Sequence, residues 1–138
     1  MEKVTSTKLT RRNLPGQIRL ALKSGQARKA EDMVVLDLRN ISSFTDYFLI
    51  MHGNSSRQNA ALCDALEQDL KAGGVRLLSV EGRVNAEWIL MDYGDFIVHV
   101  FSPAARAYYS LEKLWGDAPT LAVKPARIPK TPPGPRVT

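Results

Sequence analysis

The chain has 138 residues, one cysteine and a formal charge of +5 at neutral pH. That length suits one domain with a single core, and a lone cysteine excludes a disulfide framework. No apolar run approaches the roughly 18 residues of a membrane helix, and the basic start lacks the apolar segment of a secretory signal. A reducing, cytoplasmic setting is therefore expected, with a short organellar transit segment as the alternative.

The net charge conceals a segregation. Residues 1–29 hold eight Lys/Arg and one acid, residues 118–138 hold four Lys/Arg and no acid, and residues 30–117 hold seven bases against thirteen acids. The middle of the chain suits a basic partner, and its two ends suit phosphate or another anion. The plainer reading is that acidic surfaces keep domains soluble and basic tails are inert.

Residues 1–13 read as a basic arm. From Leu14 to Ala30, Ile18, Ala21, Leu22 and Gly25 recur at helical spacing behind Pro15, with Arg19, Lys23 and Arg28 off that stripe, so a first helix is expected. Met33 to Leu38 and Asp46 to Met51 are short, nearly unbroken apolar runs, suited to strands covered on both faces. His52 to Ser56 breaks the second strand, and Ser55 with Gln58 forms a capping box for a second helix. That helix buries Ala61, Leu62, Ala65, Leu66 and Leu70, pairs Glu67 with Lys71 on its outer face, and ends at Gly73-Gly74. Val75 to Val80 returns as a strand.

Glu87 to Asp92 and Asp95 to Phe101 then read as a hairpin around Tyr93-Gly94, which sets Asp92 opposite Asp95 and Trp88 opposite His99. Period-two alternation sends Ile89, Met91, Phe96, Val98 and Val100 to one face, and Trp88, Leu90, Ile97 and His99 to the other, with Asp92 and Asp95 at the rim. An apolar centre with a Trp anchor and an anionic rim has the composition of a protein-binding patch. Helices covering this face too, with Trp88 in the core, is the competing reading. Ser102-Pro103 starts a third helix to about Trp115, burying Ala104, Ala107, Tyr108, Leu111, Leu114 and Trp115. Residues 118–138, with six prolines and no acid, read as a flexible basic tail. The expected fold class is α/β, one mixed-sheet domain at 14–117 in the order α-β-β-α-β-β-β-α.

The candidate partner-binding set is Trp88, Leu90, Asp92, Asp95 and His99: apolar area from the first two, carboxylates to meet Lys or Arg, and an imidazole to orient the indole. No catalytic residue, metal or cofactor is assigned. Two acids facing each other could share a cation, but two histidines without ligand spacing argue against it. His52 reads as a loop hydrogen-bonder. Arg57, opposing the dipole in the first turn of the second helix, calls for a carboxylate such as Glu81 or Asp46. The Gly53–Ser56 turn is either a plain capped turn or an anion cup at a helix start. The D-x-D pair of a nucleotidyltransferase is absent, as are the Walker and dinucleotide glycine patterns.

Taken in order, D-Y-F-L-I from Asp46, G-N-S-S-R-Q from Gly53, E-G at Glu81-Gly82, W-I-L-M-D-Y-G-D from Trp88, V-H-V-F from Val98 and R-A-Y-Y-S-L-E-K-L-W from Arg106 resemble the ribosomal silencing factor, or Iojap-like, family. The resemblance spans about residues 14–117. It implies a fold related to nucleotidyltransferases without their activity. It also implies binding to the large ribosomal subunit through large-subunit ribosomal protein number fourteen, which keeps the small subunit from joining and represses translation under nutrient limitation. An RNA-binding ribosome-assembly factor, whose basic arms contact rRNA, is the alternative from another class, and a degenerate nucleotidyltransferase is a third. An apolar face left open off the ribosome would also allow a weak homodimer.

Overall fold

A computed structural model describes residues 9–124 of the chain. After a single 3-10 turn at Arg11–Asn13, the elements are α1 (Gly16–Ala27), β1 (Glu31–Asp37), β2 (Tyr47–His52), α2 (Ser56–Ala72), β3 (Ser79–Glu81), β4 (Trp88–Asp92), β5 (Phe96–Phe101), α3 (Pro103–Tyr109), α4 (Leu111–Leu114) and β6 (Thr120–Ala122). All six strands join one sheet in the order β3-β4-β5-β2-β1-β6. Only β2 and β5 run parallel; every other pairing is antiparallel. The expected mixed α/β sheet is therefore present.

The parallel pair forms the centre, and every residue of both strands is buried. This explains their unbroken apolar runs, because each face of each strand meets side chains. On one side, α1 and α2 press Ile18, Ala21, Leu22, Leu62, Leu66 and Leu70 onto Leu49, Met51, Ile89, Met91, Phe96, Val98 and Val100. Each large apolar side chain removed from water there stabilises the fold by about 1.5–3 kcal/mol. Cys63 lies in this core, where burial raises its thiol pKa. Leu62, Ala65, Leu66 and Leu70 are buried as expected, whereas Ala61 is exposed and Asn59 and Cys63 complete the buried face. The capping box forms in a shifted version: Ser55 Oγ accepts from the Gln58 N–H at 3.0 Å, while Gln58 Oε1 accepts from the N–H of Asn54 at 2.8 Å. Among the described residues Glu67 and Lys71 form no ion pair.

The hairpin has a different register from the one expected. The Tyr93 N–H donates to the Phe96 carbonyl at 3.0 Å, so Gly94 and Asp95 form the two-residue turn. Gly94, at φ +87°, takes the first central position, where a type II′ turn requires positive φ. Trp88 therefore faces Phe101, Leu90 faces His99 and Asp92 faces Ile97. Asp92 and Asp95 are not opposite one another. Because the slip is two residues and the pleat repeats every two, each side chain nevertheless stays on its expected face.

The other sheet face is covered by less. The expected third helix breaks at Ser110, which adopts left-handed φ 44° and ψ 56°. Its second half is only the four residues of α4. Neither α3 nor α4 buries more than Leu111; Ala104, Ala107, Tyr108 and Leu114, expected inside, are exposed. The break turns Trp115 back onto the sheet, where it packs with Leu36, Leu38, Phe48, Ile50, Ile97 and Phe101. Strand β6 pairs with β1, and Ala118 is buried, so the sheet takes up residues from the stretch read as tail. The arm at 1–8 and positions 125–138 lie outside the described residues. No helix among the described residues is long and apolar enough to cross a membrane.

Candidate functional site

Helices α3 and α4 cover this face incompletely: Tyr109 at the end of α3 packs on Trp88, yet Trp88, Leu90 and Asp92 of β4 remain half-buried. Six aromatic or imidazole rings surround the indole or continue from it. Trp88 lies 5.1 Å from Phe101 and 4.5 Å from Tyr109 between ring centres. Phe48 meets His99 edge-on at 4.4 Å and Trp115 edge-on at 5.9 Å. Phe44, 59% exposed in the loop before β2, closes the series at 6.2 Å from Phe48. Trp88, Trp115, Tyr109 and Phe44 stay at least partly uncovered above the buried Phe48, His99 and Phe101, and rigid rings of this kind offer large contact area at small entropic cost.

The indole is pinned from below. Trp88 Nε1–H donates to His99 Nδ1 at 3.0 Å, a diagonal contact across the β4–β5 pair. Burial drives the His99 pKa down to about 3, so the ring is neutral. With Nδ1 accepting, the proton must reside on Nε2, a buried atom without a hydrogen-bond partner. His99 is 3% exposed. Of the five candidate residues it is the most deeply buried, and its hydrogen bond holds the Trp88 indole in place.

The acidic rim collects at the turn. Asp92 Oδ1 accepts from the Gly94 N–H at 2.8 Å, the Asp95 carbonyl accepts from the Asp46 N–H at 3.0 Å, and Thr45 Oγ1 donates to the Gly94 carbonyl at 3.0 Å. The loop before β2 thus ties the turn down and brings exposed Asp46 and Asp95 to one end of the sheet beside half-buried Asp92. Three carboxylates at the edge of an apolar centre suit a Lys- or Arg-bearing surface.

Trp88, Leu90, Asp92 and Asp95 lie along one strand and its turn, and His99 lies beneath. Phe44, Phe48, Tyr109 and Trp115 were missed in the sequence reading. Alternation on β2 could have assigned Phe48 to the face of Ile50, but the other three depend on a loop and on the Ser110 break.

At the opposite end of β2, His52 Nδ1 lies 3.0 Å from Arg106 Nη1, and Arg106 Nη2 donates to Glu112 at 2.7 Å. Glu31 and Asp32 stand 3.7 and 3.9 Å from His52 Nε2. This network straps α3 and α4 to the sheet. His52 is thus held by elements beyond its own turn. Arg57 is exposed and makes no ion pair among the described residues, so the expected contact with Glu81 or Asp46 does not form. Asn59, fully buried, accepts from the Gly53 N–H at 3.0 Å and donates to the Ala86 carbonyl at 2.7 Å. It clamps the loop leading into α2 to the loop leading into β4. Among the described residues no group of three or more His, Cys, Asp or Glu could hold a metal ion.

Residues 11–136 match the family model described as "ribosomal silencing factor during starvation". The chain is 44% identical over 107 residues to a ribosomal silencing factor of Halalkalibacterium halodurans, covering 78% of this chain and 92% of that protein. It is 43% identical over 102 residues to the Bacillus subtilis counterpart, covering 74% and 86%. A crystal structure of a Chromobacterium violaceum protein superposes with TM-score 0.71 at 35% identity, covering 84% of this chain and 94% of that one.

Proposed function

The chain belongs to the ribosomal silencing factor family, and from that premise we propose that it represses translation by occupying the large ribosomal subunit and obstructing its union with the small one. The contact is with large-subunit ribosomal protein number fourteen. Repression operates when nutrients are limiting, in the cytoplasm. The chain binds and does not catalyse, whatever distant kinship its sheet has with nucleotidyltransferases.

The observation that carries this reading is the half-open Trp88, held by His99 and flanked by Leu90, Asp92 and Asp95. Trp88 and Leu90 supply apolar area to be desolvated, the carboxylates meet basic side chains, and His99 fixes the anchor. The mechanism is steric. A domain of about 100 residues has a radius of gyration of about 13 Å and is therefore roughly 33 Å across, so its bulk alone blocks a subunit interface.

Purified subunits mixed with the protein and sedimented through sucrose test the proposal. Co-migration with the large subunit and fewer joined ribosomes are expected. Trp88→Ala should fold yet bind ribosomal protein fourteen at least tenfold more weakly, about 1.4 kcal/mol. A protein that stays at the top of the gradient while subunits join normally overturns the reading. In that outcome the assembly-factor alternative takes precedence. The same open face supports weak self-association off the ribosome, which Trp88→Ala would also reduce.

A further inference from the structure

We infer that the outer surface of α1 and the turn after it form a second interaction surface, separate from the Trp88 face, that binds the phosphate backbone of RNA. Between Leu9 and Ala30 the chain carries Arg11, Arg12, Arg19, Lys23, Arg28 and Lys29 and no acid. All but the half-buried Arg11 are exposed. None of the six makes an ion pair among the described residues, whereas Arg39, Arg83 and Arg106 pair with Asp37, Asp64 and Glu112.

The nearby carboxylates are engaged elsewhere. Asp69 accepts from Ser24 Oγ at 2.7 Å, on the packed side of α1. Glu31 and Asp32, next in the chain, face His52. The residues after β6 bring a further cation, Lys124, into the neighbourhood, because Gln26 Nε2 donates to the Lys124 carbonyl at 2.8 Å.

This arrangement works against the helix that carries it. Arg19 and Lys23 are like charges at i, i+4, and Arg19 sits in the first turn, where the dipole disfavours cations. No acid occupies that turn to offset it. An external polyanion relieves both effects. The inner stripe of α1, Ile18, Ala21 and Leu22, belongs to the core on the far side of the sheet from Trp88. Both surfaces can therefore be occupied at once. A row of flexible cations without an aromatic platform of its own favours backbone phosphate over base readout, so sequence selectivity is not expected.

The test is fluorescence anisotropy with a labelled 20-base-pair RNA duplex across a salt series, using the full chain. The wild type should bind with an affinity that falls linearly in log salt. The quadruple variant Arg19→Gln, Lys23→Gln, Arg28→Gln, Lys29→Gln should bind at least tenfold more weakly, with a shallower salt slope. A control, Arg57→Gln, Lys71→Gln, Arg76→Gln, Lys113→Gln, removes the same charge from four exposed cations that also form no ion pair among the described residues. It should stay within threefold of wild type. Equal losses in the two variants would reduce the effect to net charge and overturn the assignment, as would a wild type without salt-dependent binding. Binding to phosphatidylglycerol vesicles as tight as to RNA, lost in the same variant, would overturn the choice of RNA. No ribosomal protein is present in the assay, so failure here leaves the docking face untouched, and the α1 variant should still bind ribosomal protein fourteen.

Discussion

Lowering the pH from 7 to 5 should destabilise this fold through His99. The unfolded imidazole has an ordinary pKa of 6.5, and burial lowers the folded value to about 3. Between those values the unfolded chain takes up a proton that the folded chain refuses, so stability is complete above about pH 6.5 and is lost progressively down to about pH 3. Each unit costs about 1.4 kcal/mol, which makes the loss at pH 5 about 2 kcal/mol. Against a total of about 5–15 kcal/mol for a domain, that is a visible fraction. Urea unfolding followed by tryptophan fluorescence reads it directly, since Trp88 and Trp115 both lie on this face. His99→Asn isolates the effect, because the amide oxygen can replace Nδ1 as acceptor for Trp88 without titrating. The variant should be less stable at pH 7 by about 1–3 kcal/mol for the volume removed. Its stability should nevertheless fall by about 2 kcal/mol less than wild type on moving to pH 5. The difference between the two curves removes whatever the two proteins share. Parallel pH profiles would refute the reasoning.

Three further outcomes follow from particular contacts. Gly82→Ala should cost at least about 2 kcal/mol and weaken partner binding, because a Cβ there would collide with the Trp88 carbonyl oxygen at φ +83°; an unchanged midpoint in urea would contradict it. Asn59→Ala should cost about 2–4 kcal/mol by stripping buried backbone partners at Gly53 and Ala86, with faster amide exchange in both loops as the check. Arg106→Met should cost about 1.5–3 kcal/mol and expose Trp115, read as a red shift in its emission in a Trp88→Phe background; an unshifted spectrum would separate the strap from the packing of α4.

Legibility in the sequence followed the range of the interaction involved. Strands β2 and β5 could be read because burial on both faces leaves an unbroken apolar run, and α2 because its cap and its glycines are local chemistry. The Trp88 face was legible even though the turn was placed one residue early, since a register slip of two preserves every side. What escaped depends on distant partners. Ser110 carries no glycine signal for its left-handed backbone, so the break that returns Trp115 to the sheet could not be seen. Strand β6 is three residues long in a proline-rich stretch and exists because β1 offers it an open edge. The aromatic company of Trp88 comes from four separate segments, which no linear pattern joins.

The single parallel seam also dictates an order of assembly. Strands β3 to β5 form one antiparallel unit from contiguous chain, and β1 and β2 form another; the strands of the two pair only where Tyr47 to His52 lies along Phe96 to Phe101. Hairpins close in microseconds, whereas a seam between segments this far apart must wait for a long loop to close. Pairing along this seam is therefore expected to form late, after the local antiparallel pairings. Changes along the β2–β5 seam should slow that pairing, while changes confined to the β3–β4 edge should register mainly as faster unfolding.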